Sequence, residues 1–378
     1  MTYQGWSNTV FERTSQTTLA HHIKELEENF KRNYALPAQL ESAGRFIYNC
    51  SGEGFDWPVQ YRIHQVEGNT GETQRNFARR NLFKTANLEY RGYQATDAMY
   101  MKEFLSNRGE AGIVKVFDSF TERLKTSVNQ VLGREFYTDG NAAGNEEFWH
   151  GYETLFGTNG TVNISTGAQR ATNQADIVAY MSGTYAGLTC DLGTYGGAQY
   201  AGAVWPDGDA DPEYDFWTPL GVVGDSTSLT GSTWAANAVE ALRYAITMCQ
   251  RNASLEEQMT TITLSRSMYN DLKNLLDDKE EVQVTDENSL RAFGFRNVMI
   301  IDGVEVTFDN GVPAGAGYGG SYNNMEVRCM NDSLLVAEGP EYDIHSQAFN
   351  AVVSTISNIK FKHIRNCFKV WADNSDIS

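Results

Sequence analysis

A serine beside an aspartate in Gly224-Asp-Ser-Thr227, and an aspartate two residues before a histidine in Asp343-Ile-His345, are parts from which a nucleophile, a base and an orienting carboxylate can be built. Such a set would hydrolyse esters. A second chemical candidate is Trp205-Pro-Asp-Gly-Asp-Ala-Asp-Pro-Glu-Tyr-Asp215, in which Asp207, Asp209 and Asp211 alternate so that three carboxylates can converge on Ca²⁺. A calcium loop of the helix-loop-helix kind needs glycine at its sixth position and glutamate at its twelfth, which are Pro212 and Thr218 here. The stretch therefore reads as an exposed acidic loop, with its three aspartates as weak metal candidates. The six histidines (His21, His22, His64, His150, His345, His363) have no ligand spacing. Five cysteines (Cys50, Cys190, Cys249, Cys329, Cys367) are scattered and form no C-x-x-C pair, so reduced and mostly buried thiols are expected. No cofactor is indicated.

Charge is segregated along the chain. The net charge is −18, and residues 135–340 alone carry 9 Lys+Arg against 29 Asp+Glu. A block of −20 repels polyanions and argues against nucleic-acid recognition through that region. The first 110 residues balance at 13 of each sign yet hold a basic cluster, Arg75, Arg79, Arg80 and Lys84. That cluster is the candidate for contact with another subunit.

The elements that must position these groups follow from periodicity. A length of 378 residues suggests two or more domains, and 41% apolar residues suffice for a large core. No run is long and apolar enough to span a membrane, and the N-terminus lacks the pattern of a signal peptide, so a soluble cytoplasmic product is expected. From Glu110 to Phe136, Ile113, Val116, Phe117, Phe120, Leu124, Val128, Val131 and Leu132 recur by threes and fours. This predicts one amphipathic helix on the order of 35 to 40 Å long, a beam ending near Gly133 and Tyr137-Thr-Asp-Gly140. Before it, an extended arm ends in a short helix bearing Leu19, Ile23, Leu26 and Phe30. Strand-like stretches at Phe55 to Val66 and Phe83 to Tyr93 then flank a polar middle, Glu67 to Asn76, as a long hairpin would. Such a ribbon is marginal alone and is expected to lean on a neighbouring subunit.

Residues 141–233, rich in Gly, Thr, Tyr and Trp, support no secondary-structure assignment. A helix is predicted from Ala235 to Cys249, a strand from Met259 to Leu264, and a second helix capped by Ser265. Val298-Met-Ile-Ile301, Asp302-Gly303 and Val304-Glu-Val-Thr-Phe308 read as a tight hairpin. Ala351 to Trp371 reads as strands whose alternating Lys360, Lys362 and Lys369 line a solvated face.

This order resembles the major capsid protein of tailed bacteriophages, the Hong Kong ninety-seven-like capsid fold. The specific likeness runs from Thr261-Ile-Thr-Leu-Ser-Arg-Ser-Met-Tyr-Asn-Asp-Leu272 through Leu290-Arg-Ala-Phe-Gly-Phe-Arg-Asn-Val298 to Phe308-Asp-Asn-Gly-Val-Pro313, about one seventh of the chain, while the element order covers nearly all of it. The resemblance implies an α+β fold with N-arm (1–50), E-loop hairpin (51–108), P domain with long spine helix (109–150), mainly A domain with interleaved P-domain strands (151–345) and C-terminal strands (346–378). It further implies hexamers and pentamers of an icosahedral shell around double-stranded DNA, with portal and decoration proteins and no membrane. The absence of a long charged coiled-coil extension points to a separate scaffolding protein rather than a fused, cleaved one. Where that family cross-links covalently, a lysine of the E-loop is joined to an asparagine; Lys84 is the sole lysine between Phe55 and Tyr100 and is read as solvated, without that role.

Other readings fit less well. An esterase family opens with Gly-Asp-Ser near its N-terminus after a strand and pairs it with Asp-x-x-His. Here the motif is mid-chain in loop sequence and the histidine is one residue too close, so no enzyme is expected. The 19 Tyr and 7 Trp near Gly-rich loops would suit a carbohydrate-binding domain, yet such aromatics more often pack their own domain or a subunit interface. Within the same fold, an encapsulin-type nanocompartment shell is the alternative, although those chains are generally shorter.

Overall fold

The structure is a computed structural model and describes residues 27–28, 30, 33–60, 71, 82–100, 102, 123–124, 126–156, 178–179, 184–189, 217, 219–225, 229–250, 254, 257–277, 298–345 and 347–372. In chain order the strands are β1 (Phe46–Ile47), β2 (Gly54–Gln60), β3 (Phe83–Glu89), β4 (Arg91–Tyr100), β5 (Val178–Ala179), β6 (Thr184–Tyr185), β7 (Leu188–Thr189) and β8 (Leu220–Val223). After them come β9 (Thr261–Leu264), β10 (Met299–Ile301), β11 (Val304–Phe308), β12 (Ala316–Gly320), β13 (Met325–Cys329), β14 (Val336–Asp343), β15 (Ala348–Phe361) and β16 (Phe368–Trp371).

They build two main sheets. In the first, fourteen-residue β15 is the axis: β4 runs antiparallel along one edge, while β14 and then β13 line the other. Ser357 fixes this arrangement, because it pairs with both Arg91 of β4 and Cys329 of β13, and a strand has only two edges. Residues 123–124 and 126–135 are helical, and Leu124, Val128 and Leu132 are buried in the core this sheet shares, as the apolar spacing requires. The rest of the predicted beam, 110–122, lies outside the described residues. One detail differs from the sequence reading: of the four described positions of the stripe, Val131 is 45% exposed. The helix ends at residue 135, as read, with Gly133 in its last turn, where an added Cβ would stand 2.1 Å from the Tyr34 ring.

The second sheet runs β10-β11-β9-β12-β16-β8-β5 and packs against the helices Trp234–Cys249 and Arg266–Asp277 around a separate core. Both helices and β9 stand close to where periodicity placed them. The β10–β11 hairpin turns at Asp302 (φ 48°) and Gly303 (φ 82°), the two left-handed residues a type I′ turn requires. In the stretch without assignable pattern the structure places the helix Tyr152–Phe156 and short strands β5 to β8. A helix at Ala35–Ser42 also escaped periodicity, since six of its eight residues are buried and leave no polar face.

The sheets are joined by two chain crossings that lie side by side, the 3-10 turns Tyr322–Asn324 and Ile364–Asn366. Asn324 ties them: its Oδ1 accepts from the His363 N–H at 2.8 Å, its backbone O accepts from Lys362 N–H at 2.9 Å, and its Nδ2 donates to the His363 carbonyl.

Candidate assembly interface

The ribbon predicted to reach a neighbour begins as β2 paired antiparallel with β3, from Gly54↔Glu89 to Gln60↔Phe83. Alternation puts Phe55, Trp57, Val59, Ala86 and Leu88 on one buried face and Asp56, Thr85 and Asn87 outside. The ribbon is expected to lean on a neighbouring subunit, but at its root the support comes from its own chain. Its root is buried in the main core of its own chain, and Asn87 N–H donates to Ala186 O at 3.0 Å.

Beneath that root lies a group of charges. Glu326, with 7% of its side chain exposed, holds Lys362 Nζ at 3.2 Å, Arg328 Nη2 at 3.2 Å and Lys360 Nζ at 3.5 Å. Lys360 Nζ stands 5.1 Å from the Trp57 ring centre and the Arg328 guanidinium 5.3 Å from that of Phe55. Trp57 Nε1 donates to Lys362 O at 3.3 Å. Burial by itself would raise the Glu326 carboxyl, but Lys360, Lys362 and Arg328 together hold it below the ordinary range. Burial also lowers the Lys360 ammonium, which Glu326 opposes. The solvated lysine face expected of Lys360, Lys362 and Lys369 survives only at Lys362, whose side chain is 40% exposed. Lys360 is 5% exposed and Lys369 8%, each facing a carboxylate.

Lys369 belongs to a matching cluster on the second sheet. Its Nζ lies 2.5 Å from Glu153 Oε1, Tyr318 Oη donates to Glu153 Oε2 at 2.5 Å, and the ammonium faces the Trp371 ring at 5.0 Å. The Glu153 helix is thereby fixed to β12 and β16. Asp309 joins three parts: it accepts from Tyr137 Oη at 3.1 Å, from Gly311 N–H at 3.2 Å and from the N–H groups of Ala35 and Leu36. It caps the helix Ala35–Ser42 from a distance, where Tyr34 offers no side-chain cap. Burial raises its carboxyl to about 6, against those hydrogen bonds. At the helix exit, Arg91 Nη1 binds the carbonyls of Gly140 (2.6 Å), Phe148 (2.7 Å) and Asn145 (3.2 Å), and Tyr93 Oη donates to Glu135 at 2.7 Å. Burial lowers the adjacent His150 imidazole to about 3, keeping it neutral.

The first sheet also offers a largely uncharged face. Gly92, Gln94, Thr96 and Tyr100 of β4 and Asn350 and Ile356 of β15 are exposed on it, and the β14 edge beyond carries exposed Glu338 and Glu341 beside a bulge.

Of the residues picked from sequence, Lys84 lies half-buried on β3 opposite Val59. Arg75, Arg79 and Arg80, and likewise Asp207, Asp209 and Asp211, lie outside the described residues. Among those described, no group of three or more His, Cys, Asp or Glu residues could hold a metal. Gly224 and Asp225 follow β8 in the second sheet, whereas Asp343 and His345 stand at the β14–β15 turn of the first. The Glu326 group escaped sequence reasoning because lysines at every second position look the same on a wet face and on a buried face with a carboxylate below. The one available signal was Glu326 itself, alternating with Met325 and Val327 in an apolar strand.

Solved structures share this architecture. Against the capsid asymmetric unit of cyanophage A-1(L) the chain is 15% identical, with 89% of this chain and 92% of that chain covered and a TM-score of 0.54. Against the capsid of the native GTA particle it is 8% identical, with 89% and 90% covered and a TM-score of 0.52. No family model matches the chain, and comparison with curated proteins finds no match.

Proposed function

We propose, from a fold that is that of phage capsid proteins, that this chain is a major capsid protein which self-assembles into the hexamers and pentamers of an icosahedral shell enclosing the double-stranded DNA of a tailed phage. The observation that carries the reading is the extent of the likeness: it takes in 89% of this chain and 92% of the cyanophage protein, so building a shell accounts for nearly every element. On this reading the chain catalyses nothing. Assembly takes place in the host bacterial cytoplasm, with a separate scaffolding protein, a portal and decoration proteins as partners.

The ribbon of one copy then lies against the next, and Arg75, Arg79 and Arg80, with Lys84 nearer the root, meet acidic groups there. Glu338 and Glu341 on the exposed edge of β14 are suitable acceptors. Electron microscopy of the purified protein is the test, with shells or capsomer-sized particles as the expected result. The triple variant R75E/R79E/R80E should stay folded by circular dichroism and fail to form them. Normal shells from that variant would remove the role given to the arginines, and a monodisperse monomer from the unaltered chain under all assembly conditions would remove the function itself.

A further inference from the structure

The four described cysteines are thiols, and they stand as two neighbouring pairs. Cys249 and Cys367 are close enough to influence one another but are 2% and 0% exposed, out of reach of any reagent. The other pair is different. Cys50 follows β1 and Cys329 ends β13, and these strands are parallel neighbours. Cys50 N–H donates to Cys329 O at 3.0 Å, and Asn49 N–H donates to Asn331 O at 2.9 Å. Cys50 stands two residues past the position in register with Cys329, since β1 pairs Ile47 with Arg328, and it is the 3.0 Å N–H to O contact between them that brings their backbones within the ~4.4–6.8 Å between Cα atoms that a disulfide spans. Tyr90 stands beside the pair, hydrogen-bonded to Cys50 and within electrostatic reach of Cys329. Cys50 is half-buried while Cys329 is 1% exposed, so a small reagent meets Cys50 first and finds Cys329 behind it.

We propose that Cys50 and Cys329 form an oxidation site, closing to an intramolecular disulfide that pins the root of the ribbon to the five-stranded sheet. With hydrogen peroxide as oxidant, the Cys50 sulfur attacks one peroxide oxygen, giving a sulfenic acid and releasing water. The Cys329 sulfur then attacks the Cys50 sulfur, the S–O bond breaks, and a second water leaves with the Cys329 proton. Two thiols lose two electrons and two protons, and the peroxide becomes two waters. In the reducing interior of a cell the pair stays open, and outside it closes. Gly54, the first residue of β2, lies four positions beyond Cys50, so the link acts directly where the ribbon leaves the sheet.

The test is to treat the purified full chain with hydrogen peroxide, alkylate it unfolded, digest it without reduction and identify linked peptides by mass spectrometry. A Cys50–Cys329 pair is expected, with two of the five thiols lost to alkylation, reversal by dithiothreitol and a thermal midpoint raised by several degrees. Cys50→Ser, at a half-buried position that tolerates it, should abolish both the link and the shift. Oxidised glutathione is a second probe: attack by Cys329 should displace glutathione from Cys50. A stable glutathione adduct on Cys50, with Cys329 alkylated in full, would overturn the proposal. So would a link from Cys50 to another chain or to Cys190.

Discussion

At the scale of single residues, the informative groups are carboxylates out of water. Glu326 is held charged by three cations, so Glu326→Gln leaves Lys360 buried without its counter-charge, at an expected cost of about 3 kcal/mol in denaturant unfolding. Adding Lys360→Met should recover much of that loss, and a double variant no more stable than E326Q would mean the pair is not the source. Asp309 behaves in the opposite sense. Its carboxyl is raised from 3.8 to about 6, so it favours the folded state fully below 3.8, and that contribution is lost as pH rises through about 6. The interval corresponds to ~3 kcal/mol. Relative to the unaltered chain, Asp309→Asn should therefore gain stability between pH 4 and 7, and a difference in thermal midpoint that does not change with pH would refute this.

At the scale of elements, the ribbon root shows how a two-stranded excursion can be stable. Phe55 and Trp57 bury their faces over Arg328 and Lys360, and Trp57 Nε1 reaches the backbone carbonyl of Lys362, the residue after β15. Trp57→Ala removes that anchor, an expected loss of about 3 to 5 kcal/mol, concentrated where the ribbon leaves the sheet. Limited proteolysis should then cut between residues 54 and 89 while the second sheet with its helices stays resistant. Uniform digestion of the whole chain would argue that the root is not a separate unit. In the second sheet, β12, Ala316-Gly-Tyr-Gly-Gly320, reads poorly as a strand because glycine lacks a side chain to alternate. The reason is tertiary: a Cβ on Gly319 would fall 2.0 Å from the Phe368 ring, which covers that position from β16.

At the scale of the whole molecule, the charge map bears on the assembly proposed above. If residues 135–340 crowd around each symmetry axis of a capsomer, the −20 they carry repels its copies, and the repulsion weakens as salt shortens the screening length to roughly 8 Å at physiological ionic strength. Shell formation followed by light scattering should then improve from about 10 mM to 150 mM salt. A steep fall instead would mean that attraction between the arginines of the ribbon and acidic neighbours dominates.

What the sequence determined by itself is what short-range physics controls. The β10–β11 hairpin was legible because only Asp302-Gly303 could supply two left-handed residues between alternating apolar runs, and the helices ending at Cys249 and Asp277 because their apolar faces repeat at the helical period. The element order also carried the likeness to capsid proteins. Only the tertiary structure could decide which side of β15 is dry, because Lys360 is an outward residue until Glu326 of β13 is set opposite it across the sheet. It alone set Asp309 against the N–H groups of Ala35 and Leu36, more than two hundred and seventy residues away in sequence, and brought Cys50 beside Cys329. Burial and pairing of a charge depend on a partner distant along the chain, and no local pattern of residue types records which partner that is.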